Sequence, residues 1–90
     1  MIMKKLVGFV TKEERDEIKY LFERKNGLLE LINCINDSSS IYDKVVMDLG
    51  ETTTKLQNWW NHYAEFYKWE QVDNGHWEIN FETCEIFLIY

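Results

Sequence analysis

Ninety residues with a net charge of −6 and 46% hydrophobic content fit a single ordered domain, 1–90, around one core. Sixteen Asp and Glu against ten Lys and Arg argue against a nucleic acid as ligand, because phosphate-backbone binding takes clustered cations. No run is long and apolar enough for a bilayer, and Met1–Val10, with Lys4 and Lys5 inside it, does not read as a secretory leader. A cytoplasmic protein with reduced thiols at Cys34 and Cys84 is therefore expected, with no membrane partner.

Residues 1–10 are short and apolar with Gly8 among them, and read as an extended arm or edge strand. Thr11-Lys12-Glu13-Glu14 has the capping-box form, in which the Thr hydroxyl and the Glu carboxylate each satisfy a backbone amide of the first turn. A first helix over 11–35 follows. The polar run Asn36-Asp37-Ser38-Ser39-Ser40 breaks it and supplies an N-cap for a second helix over 41–67. Residues 69–90 read as β structure. Asp73-Asn74-Gly75 is a turn signal, Trp77, Ile79 and Phe81 alternate with polar residues, and Cys84–Tyr90 forms a second apolar strand after a bend at Glu82-Thr83. The fold class is mainly α (α+β): a long antiparallel helical hairpin with an N-terminal extended arm and a small C-terminal β-hairpin.

Spacings of three and four residues link Ile18, Leu21, Lys25, Leu28, Ile32 and Ile35, and likewise Tyr42, Val45, Leu49, Thr52, Leu56 and Trp59. Folded back on each other at constant register, the two rows pair Ile35 with Tyr42 and Ile18 with Trp59 as positions a and d of an antiparallel coiled coil. Gly27 and Gly50 face each other in that register, so a close approach of the helices is expected there. Lys25, the one charge in the first row, is expected to reach Asp48 or Glu51. Beside the seam, position e carries Phe22, Leu29, Val46, Trp60 and Tyr67, an apolar flank that needs covering. A second hairpin in a homodimer, closing a four-helix bundle, or the chain's own β segment would cover it. Tyr63 and Phe66 are expected to pack on Phe9, Val10 and the strands.

Signals for chemistry are sparse. His62, His76, Cys34 and Cys84 do not sit at metal-ligand spacing, and the four glycines are scattered singly. Cys84 is flanked by Thr83 and Glu85, and only His76 on a neighbouring strand could activate it. No catalytic residue, metal or cofactor is expected. The aromatic cluster Trp60, Tyr67, Trp69 and Trp77 serves equally well as core or as a recognition surface.

The segments Thr11-Lys12-Glu13-Glu14-Arg15-Asp16-Glu17, Leu21-Phe22-Glu23-Arg24-Lys25-Asn26 and Gly75-His76-Trp77-Glu78-Ile79-Asn80-Phe81-Glu82-Thr83-Cys84-Glu85-Ile86 resemble the small accessory proteins of bacterial CXXX-repeat peptide modification systems. The resemblance spans nearly the whole chain. It implies a non-catalytic partner of a cysteine-repeat precursor peptide or of the radical-type maturation enzyme that acts on it. Edge-strand capture of a peptide, by Trp77 and Ile79 on one strand or by Ile86 and Leu88 on the other, is the expected binding mode. Two other classes remain open. One is an acidic inhibitor from a mobile element that presents Asp43 to Glu85 to a basic enzyme, and the other is a purely structural homodimerisation module.

Overall fold

Thr11 and Glu14 set the start of the first helix. In the computed structural model, which describes residues 2–36 and 40–90, the Glu14 amide donates to Thr11 Oγ1 at 3.1 Å and the Thr11 amide donates to Glu14 Oε1 at 2.8 Å. This is the reciprocal capping box read from the sequence. Helix α1 runs over Lys12–Cys34 and helix α2 over Ser40–Tyr67. The expected polar break falls in part on residues 37–39, which lie outside the described residues. At its far end α2 closes with Lys68 in the left-handed region (φ 54°) and the Trp69 amide donating to Ala64 O at 3.3 Å. That is the six-to-one bond of a Schellman cap, with Trp69 as its hydrophobic anchor.

Three strands make one antiparallel sheet in the order β1-β3-β2, with β1 at Lys4–Phe9, β2 at His76–Ile79 and β3 at Glu85–Ile89. The expected arm is thus a full strand, and the expected C-terminal hairpin is β2–β3 with β1 added on its other side. Trp77 pairs with Leu88 and Ile79 with Ile86 on one side of β3, and Lys5 pairs with Leu88 and Gly8 with Ile86 on the other. A bulge between Leu6 and Gly8 shifts the register of β1. The β2–β3 bend is built by Asn80, whose side-chain oxygen accepts from the Glu82 and Thr83 amides at 2.9 and 3.3 Å, and it ends on Cys84 at φ 62°. At the Asp73-Asn74-Gly75 turn the Gly75 amide donates to Val72 O, and it is Asn74 (φ 63°), not the glycine, that takes the left-handed conformation.

The contacts of the chain fall into two compact units. The hairpin unit, Ile18–Trp60, buries the expected rows. From Ile18 to Ile35 the buried or half-buried positions are Ile18, Leu21, Lys25, Leu28, Ile32 and Ile35. From Ile41 to Trp60 they are Tyr42, Val45, Leu49, Thr52, Leu56 and Trp59, joined by Asp48 and Trp60. Two expectations fail here. An added Cβ at Gly27 or Gly50 would meet nothing within 4 Å, so neither glycine serves a close helix approach. Asp48 pairs with Arg24 at 3.2 Å, not with Lys25, because position g of one helix lies beside position g of the other in an antiparallel pair.

The β unit comprises Met1–Glu17 and Asn61–Tyr90, so it draws on both ends of the chain. Its core is Val10, Trp69, Cys84, Ile86 and Leu88, with Ile86 and Leu88 at 0% and 1% exposure. Gly8 is required: a Cβ there would lie 2.7 Å from Trp69 Nε1, so the indole edge rests directly on the β1 backbone. Arg15 Nη1 donates to Phe81 O at 2.6 Å, tying the first turns of α1 to the β2–β3 bend. Phe66, expected to pack on the strands, is 67% exposed, while Tyr63 is half-buried. Phe66 instead stacks on His62 of its own helix face, with centroids 6.4 Å apart.

Candidate interaction surfaces

Position e of the hairpin unit leaves Phe22, Leu29 and Val46 exposed at 45%, 41% and 43%. Trp60 on the same flank is half-buried and packs edge-on against Trp59 at 4.9 Å. Beside these residues the seam positions Leu28, Ile32, Tyr42, Leu49 and Leu56 are only half-buried. The stripe of a, d and e residues is wider than the a/d seam that a single neighbouring helix covers, so part of it stays exposed. The opposite flank carries the Arg24–Asp48 ion pair. That flank also exposes Leu31 and Ile41, at 43% and 53%, so the two sides differ in charge more than in apolar exposure.

In the β unit the aromatic residues form a ladder. Tyr63 stacks on Tyr67 (6.0 Å), Tyr67 on Trp69 (5.7 Å, 9° between planes), and Trp69 meets Trp77 edge-on at 6.0 Å. Tyr67 donates its hydroxyl to Glu14 Oε1 at 2.6 Å. One carboxylate thus both caps α1 and anchors the last residue of α2. That hydrogen bond, with burial and the charge of Glu14 adding to it, pushes the Tyr67 phenol up to about 12. Tyr63 is also raised, first by burial and then by Glu17 and Glu14. Lys5 is raised by its hydrogen bond to Glu70, 2.8 Å away.

Where the ladder reaches the surface, Asn61, Ala64, Glu65, Trp69, Gln71 and Trp77 line an open cleft of about 360 Å³. Trp77 is held in place by its Nε1 donating to Glu70 O at 2.9 Å. Asn61 and Glu65 are four residues apart on one face of α2. Their partners Gln71 and Trp77 come from the loop and strand beyond it, and no periodicity in the sequence could have joined them. On the sheet, Lys4 Nζ lies 4.4 Å from the centre of the Phe87 ring.

The sequence-predicted site residues divide by burial. Phe22, Leu29 and Val46 are exposed, and Trp60, Tyr67, Trp77 and Ile79 are half-buried. Ile86 and Leu88 are buried and offer no surface, and Trp69, buried at 6% exposure, shows only a margin in the cleft. Capture of a peptide along Cys84–Tyr90 is ruled out, because β3 is the central strand and both its edges are already paired. The Cys84–His76 pairing also fails. His76 pairs with Ile89 at one end of the ladder, whereas Cys84 precedes Glu85 at the other. Both cysteines are free thiols, Cys34 exposed and Cys84 buried. Among the described residues no group of three or more His, Cys, Asp or Glu is placed to hold a metal ion, and no helix is long and apolar enough to cross a membrane. No family model, curated protein or solved structure matches the chain.

Proposed function

We propose that this chain is a non-catalytic accessory component that works by binding other polypeptides, and that its hairpin docks on a second copy of itself. The observation that carries the reading is the exposed row Phe22, Leu29 and Val46 beside a seam that is only half-buried along much of its length. This is the surface of half a four-helix bundle. A second copy suits it electrostatically. Within Ile18–Trp60 the acids Glu23, Glu30, Asp37, Asp43, Asp48 and Glu51 are nearly balanced by Lys19, Arg24, Lys25, Lys44 and Lys55, so two such units do not repel strongly. The setting is the one its sequence resembles, maturation of a ribosomally made cysteine-repeat peptide, in which the protein presents the precursor or supports its enzyme.

Sedimentation equilibrium tests the docking. The protein is expected to run as a dimer and the Phe22→Glu/Leu29→Glu variant as a monomer with unchanged helical circular dichroism. A wild-type monomer at about 100 μM, a concentration at which interfaces of roughly 8 kcal/mol are well populated, would remove the self-docking. Calorimetric titration with a synthetic peptide carrying repeated Cys-x-x-x units tests the setting, which fails if no heat of binding appears.

A further inference from the structure

The cleft at the foot of the aromatic ladder has the chemistry of a cation site. Two indoles, Trp69 and Trp77, stand edge to face at 6.0 Å and form part of its wall. Indole faces attract organic cations more strongly than other aromatic rings do. Glu65 contributes a carboxylate, and Asn61 and Gln71 contribute carboxamides whose oxygens accept from N–H donors. Among the described residues no Lys or Arg forms an ion pair with Glu65. The surrounding field has the matching sign. From Asn61 to Tyr90 the charged residues are Glu65, Glu70, Asp73, Glu78, Glu82 and Glu85 against Lys68 alone. Trp77 is held by its bond to Glu70 O, and Trp69 by the Gly8 backbone beneath it. The walls are therefore preorganised, and a ligand need not order them.

We infer that this cleft binds the basic side chain, lysine or arginine, of a partner polypeptide, with the cation seated against Trp77 beside the buried Trp69 and neutralised by Glu65. The inference rests on the binding role proposed above but not on the hairpin flank, which belongs to the other unit. It gives the partner a charge sign that the apolar flank does not supply.

The test uses the full chain and three short acetylated, amidated peptides of sequence Ala-Val-Xaa-Val-Ala, with lysine, arginine or norleucine at Xaa. Indole N–H and side-chain amide signals are followed by nuclear magnetic resonance. The lysine or arginine peptide is expected to shift the Trp69, Trp77, Asn61 and Gln71 side-chain signals saturably, with at least fivefold weaker binding in 0.5 M salt and in Glu65→Gln. Trp77→Leu is expected to weaken binding further. Equal binding of the norleucine peptide, undiminished binding in Glu65→Gln, or no shift at 10 mM peptide would each overturn the cation site. Sedimentation of the same samples keeps the two readings apart, since loss of peptide binding in an intact dimer indicts the cleft alone.

Discussion

The hairpin unit and the β unit have similar lengths of chain and solve the same problem differently. In the β unit, pieces from both chain ends close on each other until Ile86 and Leu88 lose nearly all contact with water. In the hairpin unit, two helices meet along one seam and leave Phe22, Leu29 and Val46 outside. A three-stranded sheet with covering aromatic residues closes a small core here, whereas two helices cover only the a/d seam of a wider apolar stripe. Charge follows the same division: the hairpin is nearly balanced, and the acids from Glu65 to Glu85 give the β unit most of the net charge. One unit has a closed core and most of the charge, and the other leaves apolar residues exposed and is close to neutral.

The largest way to break this contrast is truncation in the closed core. Leu88→Ala is expected to cost about 2–5 kcal/mol, a large part of the stability of a domain this size, whereas Val46→Ala should stay within about 0.5 kcal/mol under monomeric conditions. Urea denaturation reads both. Next come the glycines. Gly8→Ala drives a Cβ to 2.7 Å from the buried Trp69 indole and is expected to cost about 1–3 kcal/mol. Gly27→Ala and Gly50→Ala meet open space and should each gain about 1 kcal/mol, visible as a rise in Tm. Thr11→Ala removes an N-cap hydroxyl and should cost about 1 kcal/mol. Smaller again, Lys68→Gly relieves a left-handed residue at the end of α2 and should gain about 0.5 kcal/mol.

The smallest effect is in pH. Tyr67 holds its proton to about 12 because Glu14 accepts its hydrogen bond, while an unfolded tyrosine loses it near 10. Its contribution to stability is therefore complete below about pH 10 and is lost as pH rises toward 12, where the folded form binds more protons than the unfolded one. Absorbance titration of the phenolates should show a latest step, from Tyr67, in the native protein. Tyr67→Phe should abolish that late step, and Glu14→Gln should move it earlier.

The sequence made some of these features legible and hid others. The helices, their cap at Thr11 and Glu14 and the seam from Ile18 to Trp59 were readable because each rests on spacing along one segment. The strands were readable in kind, but their order was not. The β2–β3 hairpin was expected from its local bend, but the pairing of β3 with β1 joins segments about eighty residues apart, and no local pattern encodes it. For that reason Ile86 and Leu88 looked like candidates for an exposed edge when they are the centre of the core. Gly27 and Gly50 misled for a different reason: helix geometry brought their numbers into register, but position c and position b do not point into the seam. The cleft was invisible because Glu65 and Trp77 meet only through the turn at Val72–Gly75 and the bond from Trp77 to Glu70 O.

The central place of β3 also sets an order of events during synthesis. β1 is made before its pairing partner among the described residues, β3, which follows about seventy-five residues later, roughly 4–15 s at the usual rates of about 5–20 residues per second. Through that interval β1 is an orphan strand, and Lys4, Lys5 and the bulge after Leu6 are features that discourage a strand from pairing with the wrong chain. The helices need no such wait, because their seam joins neighbouring segments. Both helices of the hairpin are thus made before β3, the strand that completes the sheet.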